Sequence, residues 1–233
     1  MHLPAFLLRP ETGPDPVLGD RTEHQTVLEE RINVGIHLTA MLLSLVGLAV
    51  LVALAVQRGT TLHVVAMVIY GSSMAALFLA SSLYHGATSA PAKPRLQVVD
   101  HAAVFLLIAG SYTPFTLVTL QGALGWSLFA VVWFLALTGA AMQLFVAGRH
   151  RRWSVAHYVA TGWVIVFALP TLLDRLPPAA FGWLLAGGLA YTFGTVFYLA
   201  HRVRFGHGVW HLMVVVGAAC HWIAVLRFVL PGV

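Results

Sequence analysis

Imidazole is the reactive group this sequence offers in quantity: twelve of its 233 residues are histidine. His207 and His211 stand one helical turn apart, so on a helix their rings share a face about 6 Å apart along the axis, a spacing used by helical metal sites. His85 closes the stretch SSLYHG, with Ser81 one turn before it, and Asp100 sits beside His101. Glu30, Asn33 and His37, at i, i+3 and i+7, form another common face. Three neutral imidazoles match the ligand set of a catalytic zinc whose fourth position is open to water. Such a metal lowers the pKa of that water towards about 7 and polarises a carbonyl.

The elements that must position these groups follow from composition. The chain is 59% hydrophobic and 9% charged, with a mean hydropathy of +0.85, far above a soluble globular average. A bilayer-spanning helix takes about 20 apolar residues, and seven stretches qualify: 34–56, 62–84, 98–120, 124–147, 155–173, 181–200 and 208–230. The predicted architecture is all-α, a polytopic bundle of seven transmembrane helices over 34–230, preceded by a polar tail at 1–33 that ends in an interfacial helix start. The connections are too short for a second folded domain or a soluble catalytic module. Of the charged residues only Asp100 and Arg227 fall inside the seven stretches.

Orientation follows from the basic residues. Arg9, Arg21, Arg31, Lys93, Arg95, Arg149, Arg151, Arg152, Arg202 and Arg204 lie on one side, and Arg58, Arg175 and Arg227 on the other. The positive-inside bias predicts a cytoplasmic N-terminus and an outward C-terminus. The start of the sequence reads as a cytoplasmic leader and not as a cleavable signal, because Pro4 and Arg9 interrupt its apolar run. His85 at the end of span 2, Asp100 at the start of span 3, and His207 and His211 at the start of span 7 then arrive at one depth, the cytoplasmic face. Asp100 is the natural partner of a metal-held water there, since a lone carboxylate near hydrocarbon costs at least about 2 to 3 kcal/mol. The dipole of a helix's first turn favours it as well. Ser81 has two readings: hydrogen bonding to that water or a substrate carbonyl, or bonding back to a carbonyl of its own helix.

Several classes are excluded. The single lysine, Lys93, lies in a connection, so no span offers the amine of a retinal Schiff base, and the predicted orientation is the reverse of the G-protein-coupled receptors. The outward halves of the spans carry almost no ionisable groups to line a pore. The net charge of +5 is scattered over short turns beside apolar helices, which makes membrane anchors and not a nucleic-acid surface. The lone Cys220 excludes an intramolecular disulfide.

The motifs Glu30-x2-Asn33-x3-His37, Ser81-x3-His85, Asp100 and His207-x3-His211, in order on spans 1, 2, 3 and 7, resemble the progestin and adipoQ receptor family. The stretches SSLYHG, DHAAVFLLIAGSYTPF and HGVWHLMVVVGAACHW are most similar to its bacterial branch, the hemolysin III proteins. Adiponectin receptors and alkaline ceramidases share this design. The resemblance implies zinc as cofactor, His85, His207 and His211 as its ligands, and Asp100 and Ser81 holding the water. It also implies a multi-pass protein of the bacterial inner membrane whose partner is a membrane lipid. The activity expected first is hydrolysis of a lipid amide or ester at the cytoplasmic leaflet. The second is a receptor or membrane-homeostasis sensor with structural zinc, and the third a cytolysin of the hemolysin III type.

The remaining polar residues have architectural readings. The Glu30, Asn33 and His37 face is expected to fasten the tail to the bundle. His221, about 15 Å beyond His211 along the helix and turned away from it, is expected to make a buried hydrogen bond. Cys220 packs, and Trp126, Trp153 and Trp210 near span ends are expected to anchor at the interface. Pro114 and Pro170 should kink their helices.

Overall fold

The computed structural model describes residues 25–145, 151–200 and 203–232. Residues 1–24, 146–150, 201–202 and 233, and with them Arg9, Arg21, Arg149 and Arg202, lie outside the described residues. Regular structure among the described residues is helical: α1 (Val27–Arg58), α2 (Thr61–Gly86), α3 (Lys93–Pro114) continued by a π-helical segment (Phe115–Leu120), α4 (Gly122–Phe145), α5 (Arg151–Gly162), a 3₁₀ segment (Val164–Ala168), α6 (Leu169–Arg175), α7 (Pro178–Leu199) and α8 (Gly206–Phe228). They form seven stretches long and apolar enough to cross a membrane, α5 to α6 making one of them. The protein is a seven-span membrane bundle, as its composition requires.

Helix α1 begins seven residues before the expected span because Thr26 and Glu29 close a capping box, which satisfies two of the amides that a helix start leaves unpaired. Its inward stripe is Asn33, His37, Ala40, Ser44, Gly47, Leu51 and Ala55, while Leu42, Leu43 and Val46 are exposed. That inverts the rule for soluble helices. Lipid solvates leucine as well as a protein core does, so small residues that permit close backbone approach take the inside. Gly71 does the same on α2, where a Cβ would collide with Leu48 of α1.

Both intramembrane prolines change the helix type. After Pro114 the chain runs as a π-helix and leaves it through Gln121 and Gly122, both at positive φ. The freed carbonyls of Thr119 and Leu120 accept hydrogen bonds from the Arg175 guanidinium. Before Pro170 the chain tightens into the 3₁₀ segment, and Pro170 opens α6 in its first turn, where its missing N–H costs nothing. The Tyr112 hydroxyl stitches this break: it donates to the Gly162 carbonyl at 2.6 Å and accepts from the Ile165 amide at 2.9 Å. Irregular backbone survives at membrane depth when the protein supplies such partners.

Candidate metal centre

His85 lies in the last turn of α2, and His207 and His211 in the first turns of α8. The entry to α8 is fixed from a distance. Phe205 caps it in the left-handed conformation (φ 58°), and its amide donates to Glu29 Oε1 of α1 at 2.9 Å. This sets the rotation of α8 that turns His207 and His211 inward, where both are buried with His85.

The three imidazoles converge. Nε2 of His85 lies 2.9 Å from Nε2 of His211 and 3.3 Å from Nε2 of His207, and one ligand atom from each ring falls within 4.8 Å of the others. Two nitrogens bound tetrahedrally at about 2.0 to 2.1 Å from zinc stand roughly 3.3 Å apart, so the observed separations suit one small divalent ion.

The protonation pattern suits it too. Nδ1 of His85 is 2.6 Å from Glu30 Oε2, and a carboxylate oxygen only accepts. The proton is therefore on Nδ1, and the neutral ring points a bare lone pair from Nε2 at the other two histidines. Without a cation that lone pair could accept from only one of them. Glu30 is held in turn by Lys93, whose Nζ is 2.9 Å from Oε1 and also reaches the Tyr84 and Ala87 carbonyls at the end of α2. A carboxylate behind a ligating histidine fixes its tautomer and raises its basicity. The residues fit a metal ion.

Asp100, on α3, is buried with its carboxyl facing Ser81 and interacting with His207. The Ser81 hydroxyl is fully buried and has no hydrogen-bond partner of normal geometry among the described residues. It does not bond back to its helix, as Ser82 does to the Phe78 carbonyl. His37 stacks on His211 with ring centroids 3.9 Å apart. A small cavity opens beside these groups, lined by Asp100, His101, Tyr198, His207 and His211 among others. It shares Leu77, Val104, Tyr158, Trp210 and Val214 with a larger, mostly apolar cavity deeper in the bundle.

The structure thus gathers His85, His207, His211, Asp100 and Ser81. It departs from expectation at two places. Trp126 and Trp153 are exposed as interface anchors would be, but Trp210 is buried against Tyr198; adjacent to His211 and one turn beyond His207, it is carried inward by the same helix face. Fastening the start of α1 falls chiefly to Glu29 through Phe205, and Asn33 contributes by donating to Gln25. Glu30 instead serves His85. The signal for that role was the only lysine of the chain standing at the same end of the bundle as Glu30.

Comparison with known proteins agrees with the motifs. A profile described as Haemolysin-III related matches residues 25–222. The chain is 40% identical to Hemolysin-3 of Bacillus cereus over 207 residues, covering 89% of this chain and 94% of that one. It is 38% identical to the Hemolysin-3 homolog of Bacillus subtilis, covering 87% and 95%. A more distant likeness, 28% over 69% of this chain and 68% of the other, is to the human monocyte to macrophage differentiation factor. With the match running from the start of α1 to the interior of α8, the chain belongs to the haemolysin-III related family.

Proposed function

We propose that His85, His207 and His211 hold zinc and that the protein hydrolyses an amide or ester bond of a membrane lipid at the cytoplasmic leaflet of the bacterial inner membrane. The observation that carries this reading is the meeting of three imidazole nitrogens with the buried Asp100 carboxyl and the buried Ser81 hydroxyl beside it, at the mouth of an apolar cavity. Zinc bound there would acidify a water and polarise the carbonyl. Asp100 takes the proton from the attacking water and returns it to the departing nitrogen or oxygen, so that water adds across the broken C–N or C–O bond. Ser81, beside the Asp100 carboxyl, orients the water or the carbonyl oxygen by its hydroxyl. Glu30 keeps His85 in the tautomer that presents Nε2. The apolar cavity receives the acyl chain, and the excess of basic residues in the turns at this end supports a cytoplasmic position for it.

The test is fatty-acid release from ceramide-like and phospholipid substrates by purified protein. Release by wild type that disappears in His211→Ala supports the reading, and equal release by the two removes it.

A second reading, a receptor or membrane-state sensor with structural zinc, is favoured by the Glu30 bridge from α1 to His85 on α2 and Lys93 on α3. It expects zinc removal to lower the melting temperature with no turnover in the loaded protein. The name Hemolysin-3 carried by the Bacillus cereus relative raises a third reading, a cytolysin, which dye release from liposomes by added protein would support.

A further inference from the structure

The larger cavity is lined by apolar side chains and a few hydroxyls, and nearly all of those hydroxyls are committed within the protein. Ser111 donates to the Ile108 carbonyl, Tyr112 to Gly162, Tyr158 to His101, Thr192 to Gly188 and Thr195 to Thr192. Two groups on the wall differ. The Tyr191 hydroxyl and Nδ1 of His221 are buried atoms with no hydrogen-bond partner among the described residues. Nε2 of His221 lies 3.3 Å from the Leu184 carbonyl and must donate to it, so the neutral ring leaves Nδ1 as a bare acceptor. A donor and an acceptor therefore stand unpaired side by side, their rings edge to face with centroids 5.4 Å apart. At membrane depth each unpaired group costs up to several kcal/mol.

The packing around the pair is specific. A Cβ at Gly217 of α8 would meet the Tyr191 ring at 2.7 Å, and one at Gly187 of α7 would meet His221 Nε2 at 2.6 Å. Each helix gives up a side chain to seat the polar ring of the other. Along α8, His221 lies ten residues past His211, about 15 Å deeper.

We propose that Tyr191 and His221 form a hydroxyl-recognition site that selects lipid chains bearing an O–H group about 15 Å from the end held near the histidine cluster. One hydroxyl satisfies both groups, donating to Nδ1 of His221 and accepting from the Tyr191 O–H. The inference rests on the cavity receiving a lipid chain, and requires neither metal nor hydrolysis.

The experiment is displacement of a fluorescent fatty acid from metal-free and zinc-loaded protein in lipid nanodiscs. The competitors are octadecanoic acid and its 12-hydroxy and 2-hydroxy derivatives. The 12-hydroxy acid is expected to compete about ten-fold better than octadecanoic acid, the equivalent of two modest hydrogen bonds, with the 2-hydroxy acid gaining nothing in metal-free protein. Tyr191→Phe, which removes one of the two hydrogen bonds, should cut the preference, read against octadecanoic acid on the same variant, to about three-fold. Should that variant not fold, the contrast between the two hydroxy acids on wild type still decides. Equal competition by plain and 12-hydroxylated chains, as when water alone fills the site, overturns the proposal, and so does a preference undiminished by Tyr191→Phe. No displacement by octadecanoic acid overturns the chain-binding reading and this proposal together. A preference in protein that releases no fatty acid upholds the hydroxyl site and sinks only the hydrolase reading.

Discussion

At the start of α8, His207 and His211 turn Nε2 towards His85, 3.3 and 2.9 Å away, whereas His221 turns Nε2 to the Leu184 carbonyl and leaves Nδ1 unpartnered among the described residues. The side chain is the same at both depths, and its neighbours decide its chemistry. At the helix start, lone pairs from two helices meet, with the Glu30 carboxylate behind His85 and the Asp100 carboxyl beside His207. At the deeper position the described residues lining the cavity offer one bare lone pair, one unpartnered hydroxyl and no carboxylate, a setting that suits a hydrogen bond and repels a cation.

The sharpest way to break this contrast is to remove one histidine from each region. His211→Ala or His85→Ala should reduce zinc, measured by elemental analysis of purified protein, from about one per chain to none, while His221→Leu retains it. Loss of zinc from His221→Leu would mean that the two regions act as one. Acid should come next. Ligating imidazoles must be neutral, so zinc affinity holds near neutrality and falls as pH drops from about 7 to 5, proton by proton. A chelator titration across that range checks it, and His221→Leu should leave the profile unmoved. Glu30→Gln, which removes the acceptor charge behind His85, should weaken zinc about 10- to 100-fold, with Lys93→Met weakening it less. Smallest is Gly217→Ala, expected to cost about 1 to 3 kcal/mol of stability by pressing on Tyr191 without changing zinc content. Thermal melts read that loss.

Much of the metal end was legible because its determinants are local. The i,i+4 histidines of α8, and the order in which spans 2, 3 and 7 begin and end, placed His85, Asp100, His207 and His211 at one depth without any knowledge of packing. Glu30 was harder. Its face was plain, but its partner depends on how closely α1 approaches the end of α2, which helix periodicity does not encode. Trp210 was misread because a default for span ends ignores helix rotation, here set by the Glu29 contact with Phe205. Tyr191 and His221 were out of reach as a pair. Their unpaired state is known only once every neighbouring hydroxyl has been assigned a partner. Pro114 and Pro170 announced breaks, yet whether a break becomes a π or a 3₁₀ turn depends on who takes the freed carbonyls.

If the histidines hold zinc as proposed, the separation of His85 from His207 by 122 residues makes ion capture a matter of timing. During synthesis the first histidine is in the bilayer long before the other two leave the ribosome, and the pocket cannot close until the last described helix has been inserted. A chain stopped before α8 keeps six spans and one of the three imidazoles. On the proposed zinc reading, occupancy would record completed translation.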